Sequence, residues 1–151
     1  MRVEKIMATA QEILKELVVV FPKEMKGRDG GWLVIKKYRE WGFVHSKQIR
    51  MNVIDVPKER FSSFRVNAKE KADRLRGMAI RDGHVSSWQS RDFDNKQYGG
   101  AIMAGNWVLS FSGLPEHMDE YFMIKLAVRL ELIAPARVNE IIKISENPFE
   151  V

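Results

Sequence analysis

His45, His84 and His117 are the side chains best suited to proton transfer near neutral pH or to ligation of haem iron, because a neutral imidazole offers one donor and one acceptor. His117 follows Glu116 at the expected start of a helix, where a surface histidine is the plainer reading and a ligand-facing one the sharper. His84 beside Gly83 reads as a turn residue, and His45 in a charged strand reads as solvent-facing. Ser110 and Ser112 raise acyl transfer, but Ser112-Gly113 lacks the glycine two residues before the nucleophile that a strained elbow requires. Acidic pairs occur only as helix-face residues, so no paired-carboxylate chemistry is visible. Gly99-Gly100 precedes a strand and not a helix N-terminus, which argues against a phosphate loop. Cysteine is absent, removing thiol nucleophiles and thiolate ligands, and no metal site is expected.

These residues need elements to position them. Val3, Ile6, Met7, Ala10, Ile13, Leu14 and Leu17 recur at helical spacing and predict a helix over 3–17, with 18–21 either its buried last turn or an extended exit. Residues 23–31 read as loop, 32–38 and 43–49 as two antiparallel strands, and 51–66 as a connection with one helical turn. Asn67 with Glu70 forms a capping-box pattern that opens a second helix, whose stripe is Ala68, Ala72, Leu75 and Ala79. Small residues there should let the helix lie tight against the sheet or against another subunit. Gly83 ends it, and 84–90 reads as a third strand anchored by Trp88.

The next hairpin has a readable register. Gly105-Asn106 is a two-residue loop of the primed type, since glycine in the first position supplies positive φ. Pairing outward sets Ala104 opposite Trp107, Met103 opposite Val108, Ile102 opposite Leu109, and Ala101 opposite Ser110. One face then carries Trp107, Ile102, Leu109 and Phe111 above Gly100, and the other shrinks through Val108 and Ser110 to Gly99 and Ser112. The shrinking face predicts a concavity or a place for another backbone. Pro115 starts a third helix over Met118, Tyr121, Phe122, Leu126, Leu130 and Ile133, Pro135 stops it, and 138–142 forms a short terminal helix before a frayed tail.

The expected class is mixed α/β (α+β). It has a profilin-like or PAS-like plan, a five-stranded, mostly antiparallel sheet with helices on one side, in the order α-β-β-α-β-β-β-α. One domain over 1–151 suffices, because a chain of this length buries roughly 68 to 70% of its unfolded surface. No apolar stretch approaches a membrane span or a signal peptide, so the expectation is a cytoplasmic protein without a membrane partner. The net charge is +5, and between 58 and 81 eight basic residues face three acidic ones, a local excess equal to the whole net charge. A solvated helix face is the plain reading. Nucleic-acid binding through Lys69, Lys71, Arg74 and Arg76 lacks the aromatic interleaving that it would need, so nucleic acid is not an expected partner.

Gly99-Gly100, the short hairpin, and Ser110-Phe111-Ser112-Gly113-Leu114-Pro115-Glu116-His117-Met118-Asp119-Glu120 together resemble the GlcG/HbpS-like family of haem-degrading domains. Asn67-Ala68-Lys69-Glu70-Lys71-Ala72 looks like that family's middle helix. The first half departs from the pattern: Arg39-Glu40-Trp41-Gly42 stands where an Asp-x-x-Gly turn is usual, and no proline follows the glycine pair. The resemblance implies an oligomer-forming domain, some of whose relatives bind haem while others are tied to glycolate or diol metabolism. Two expectations follow. One is a small-ligand-binding domain, for haem as cofactor or for a small organic acid, in a homo-oligomer, with Gly99, Gly100, Ser112 and His117 as ligand-binding residues. The other is a non-catalytic assembly module, using the alanine face of the second helix and the small face of the sheet.

Overall fold

A computed structural model describes residues 2–39, 44–50 and 58–149. The apolar stripe at its start folds as α1 (Val3–Val20), burying Ile6, Ala10, Ile13, Leu14 and Leu17. The open question at 18–21 resolves as helix through Val20 with Phe21 as its C-cap, although Val19 and Val20 stay exposed. Two strands follow, β1 (Gly30–Lys37) and β2 (Val44–Arg50). The first thus begins two residues earlier than expected, at the glycines assigned to loop. Trp41 and Phe43 lie outside the described residues.

The second helix departs most from expectation. It is α2 (Lys58–Asp82), so Asn67 stands well inside it and caps nothing. Its inward stripe is Ala68, Lys71, Ala72, Leu75 and Arg76, a spacing of three and four that burial selects over the local capping signal. The expected third strand shrinks to a single bridge between Ser86 and Ile102, with Met103 N–H donating to the Val85 carbonyl at 2.9 Å. The cause is local: Ser86 Oγ accepts from Trp88 N–H and Gln89 Oε1 accepts from Ser86 N–H. This capping box coils the chain into a 3-10 turn, Ser87–Ser90, before a ladder can form.

The hairpin is β3 (Ala101–Ala104) and β4 (Trp107–Ser112), in the register derived above, with Gly105 at φ +59°. Among the described residues there are therefore four strands and not five, in one antiparallel sheet ordered β2-β1-β4-β3. Helices α3 (Glu116–Arg129) and α4 (Pro135–Ser145) complete the fold. Leu130 and Ile133 fall beyond the end of α3, where Glu131 turns left-handed at φ 56°.

Helices cover both faces of the sheet, not one. Leu33, Val34 and Ile35 are consecutive on β1 and all buried, which requires cover above and below. Phe111 meets Phe122 of α3 on the aromatic face, at 4.8 Å between ring centroids, and α1 packs on α3 from outside. On the small face Ser110 Oγ donates to the Ala68 carbonyl of α2 at 2.7 Å. The alanine stripe and the shrinking face therefore cover each other within one chain. The tail expected to fray is also held: Asn147 is buried, and Phe149 packs edge-on to Phe21 at 5.3 Å. No helix among the described residues is long and apolar enough to cross a membrane.

Candidate functional site

Gly100, at φ +121°, bends the chain into β3 and leaves the Gly99 carbonyl pointing at α2. Lys71 fills that space. Its ammonium donates to the Gly99 carbonyl at 3.0 Å, to the Phe111 carbonyl, and to Asp119 Oδ2 at 3.3 Å, which uses all three of its protons. Asp119 Oδ1 accepts from Leu114 N–H at 2.9 Å. Lys71 is 1% exposed and Asp119 4%. Burial pushes the Asp119 carboxyl up from 3.8 to about 7, against the opposing pull of the Lys71 charge, the Leu114 N–H and, more weakly, the Arg28 charge. This pair ties α2, the glycine bend and the Gly113-Leu114 turn to the start of α3.

A second layer stands beside the first. The indole of Trp88 occupies the room that a side chain on Gly99 would need. His117 stacks on it at 4.2 Å between ring centroids and 17° between planes. Its Nε2 lies 2.8 Å from the Ser145 carbonyl, and since a carbonyl only accepts, that nitrogen carries the proton. The Arg91 guanidinium sits 4.2 Å from both the Trp88 and the Phe93 ring centroids. It pairs with Glu116 at 2.6 and 2.8 Å, and Glu116 also accepts from Gly99 N–H at 2.7 Å. Deeper in α3, buried Glu120 accepts from Ser86 Oγ at 2.7 Å, from Asn147 Nδ2 at 3.2 Å and from Ser145 Oγ. Burial raises its carboxyl above the ordinary value, with those hydrogen bonds opposing.

Between α2, the 91–98 segment and the turn after β4 opens a cavity of about 360 Å³. Lys71 and Asp119 reach its lining, with Ser112, Asn67, Arg28 and Tyr98 around them. The charges of Glu116 and Asp119 are matched by Arg91 and Lys71. Arg28 makes no ion pair among the described residues; its Nη1 lies 3.5 Å from the Gly113 carbonyl. The Asn67 amide, the Ser112 hydroxyl and the Tyr98 hydroxyl likewise have no hydrogen-bond partner among the described residues.

Of the four residues expected to bind a ligand, Ser112 lines this cavity. Gly99 and Gly100 do not line it, and the space beside them is taken by Trp88 and by the Lys71–Asp119 pair. His117 does not line it and lies against Trp88. His45 is half-buried and not freely solvated, and His84 holds an Nδ1 that is buried and unpartnered among the described residues. The basic stretch is no continuous solvated face: Lys71 and Arg76 are buried, and Arg74 donates to Glu70, to the Ser87 and Ser90 carbonyls and to the Tyr98 carbonyl.

Lys71 and Asp119 are the site residues that sequence reasoning passed over. One signal existed, since Lys71 stands three residues after Ala68 and four before Leu75, inside the apolar stripe of its own helix. Arg28, Asn67 and Tyr98 gave none, because three separate segments bring them together. Comparison with family models, with curated proteins and with solved structures found no match.

Proposed function

We propose that this chain is a small-ligand-binding domain whose ligand is a small organic acid, held in the cavity between α2 and the turn after β4. One observation carries the reading: among the described residues Arg28 makes no ion pair, its charge reaching Asp119 only through space, and the Asn67, Ser112 and Tyr98 side chains on the same cavity have no hydrogen-bond partner. A carboxylate suits that set, because guanidinium and carboxylate match in a two-pronged hydrogen bond while amide and hydroxyl groups take up its remaining lone pairs. The volume of about 360 Å³ lies at the small end of ligand pockets. The Lys71–Asp119 pair is fully engaged and acts in this reading as the floor that shapes the cavity, so no reaction is assigned to it.

The proposal keeps the family resemblance. Calorimetric titration with glycolate and lactate tests the acid. Arg28→Ala should weaken binding by about 1.5 to 3 kcal/mol, the contribution of a hydrogen bond to a charged group. Absence of heat with either acid, together with a Soret shift on adding haemin, would replace the acid with haem. The assembly reading relied on the alanine stripe and the small sheet face, which are buried against each other, so it would need other surfaces.

A further inference from the structure

The polar groups of the cavity account for a carboxylate but not for its other wall. Phe93 stands 59% exposed at the tip of a tight loop closed by the bridge between Asp92 and Gln97. Asp92 accepts from Asn95 N–H and Nδ2, and Lys96 turns left-handed at φ 54°, so the loop that presents this ring has defined geometry. Its ring meets Tyr98 edge-on, at 5.7 Å and 64°, and Arg91 braces it from behind through the pair with Glu116. Both rings line the cavity, as does Phe64 one turn before Asn67 on α2. A phenyl ring left in water forgoes the gain of burial, and a loop anchored by Arg74 and Arg91 holds it there.

Resting on the acid-binding reading, we infer that the ligand is an aryl-substituted monocarboxylic acid, its carboxylate on Arg28, Asn67 and Ser112 and its ring among Phe93, Tyr98 and Phe64. One negative charge suits Arg28, the cavity-lining cation that makes no ion pair among the described residues, and a flat apolar tail takes offset or edge-on contacts with the aromatic rings that line the cavity. A second carboxylate on the ligand would meet Glu116 and Asp119 across the same cavity.

The test is calorimetric titration of the full chain with phenylacetate, glycolate and phenylacetamide. Phenylacetate is expected to bind about tenfold or more tighter than glycolate, as burial of a ring predicts. Phenylacetamide, which keeps the ring and loses the charge, is expected to bind about tenfold or more weaker than phenylacetate. Phe93→Ala should lower the phenylacetate affinity about tenfold and leave glycolate unchanged, whereas Arg28→Ala should weaken both acids. Phe93 and Arg28 are exposed, so neither variant threatens folding, and far-UV circular dichroism checks it. Equal affinity for phenylacetate and glycolate, or no effect of Phe93→Ala, overturns the aryl tail and leaves the acid site standing. Binding of neither acid overturns both.

Discussion

Lys71 is the residue on which the site geometry depends, because its three protons reach two backbone carbonyls and one carboxylate that belong to different elements. Removing it takes the ammonium donor from all three acceptors at a buried position. Lys71→Met is therefore expected to lower unfolding free energy by roughly 3 to 5 kcal/mol, the range for breaking a buried ion pair on one side, as measured by chemical denaturation. Asp119 has a pH signature of known sign. Its carboxyl is raised in the folded state from 3.8 to about 7, so between those values the folded chain holds a proton that the unfolded chain has released. The stability it contributes is complete below pH 4, declines as pH rises to about 7, and is flat above. Glu120, also raised by burial, adds a decline of the same sign. Denaturation midpoints of Asp119→Asn across this window should show a shallower fall with pH than the parent; an unchanged slope would show that Asp119 is ionised throughout.

At the scale of elements, the glycine bend before β3 is the joint at which two layers meet. A methyl on Gly99 overlaps the Trp88 indole, and one on Gly100 would lie 2.6 Å from Lys71 Nζ and 2.9 Å from Asp119 Cβ at a φ that side chains avoid. Gly99→Ala should cost about 1 to 3 kcal/mol by overpacking and shift the tryptophan emission as Trp88 leaves His117. Gly100→Ala should cost at least as much, since backbone strain adds to the clash. The segment from Val85 to Tyr98 has no ladder of its own, and Arg74 and Arg91 hold it in place of one. This explains why Trp88 pointed to a strand that is absent: an aromatic residue among serines reads equally as a strand anchor or as the plug of a coiled turn.

Over the whole molecule the last residues close on α3 and complete its burial. Asn147 Nδ2 donates to Glu120 and to the His117 carbonyl, at 3.2 and 2.9 Å. Asn147→Ala should destabilise by about 1 to 3 kcal/mol, the penalty for buried acceptors left without a donor, read from the thermal midpoint. Helices on both faces also account for the low amphipathicity of α3, where residues from Met118 through Ile124 are all buried. A helix enclosed by the sheet, α1 and the tail has little outer face on which to display its polar residues.

The sequence by itself determined what depends on neighbours along the chain: the stripe of α1, the Gly105-Asn106 turn with its register, and the proline at the start of α3. Each rests on a period or a backbone preference that a few residues express. Only the tertiary structure decided that α2 begins ahead of its capping signal, that helices cover the second face, and that Lys71 lies inside and Phe93 outside. Those outcomes turn on which surfaces meet after collapse. The candidate site follows the same division, since Ser112 came from register, whereas Arg28, Asn67 and Tyr98 converge from three segments that share no local pattern.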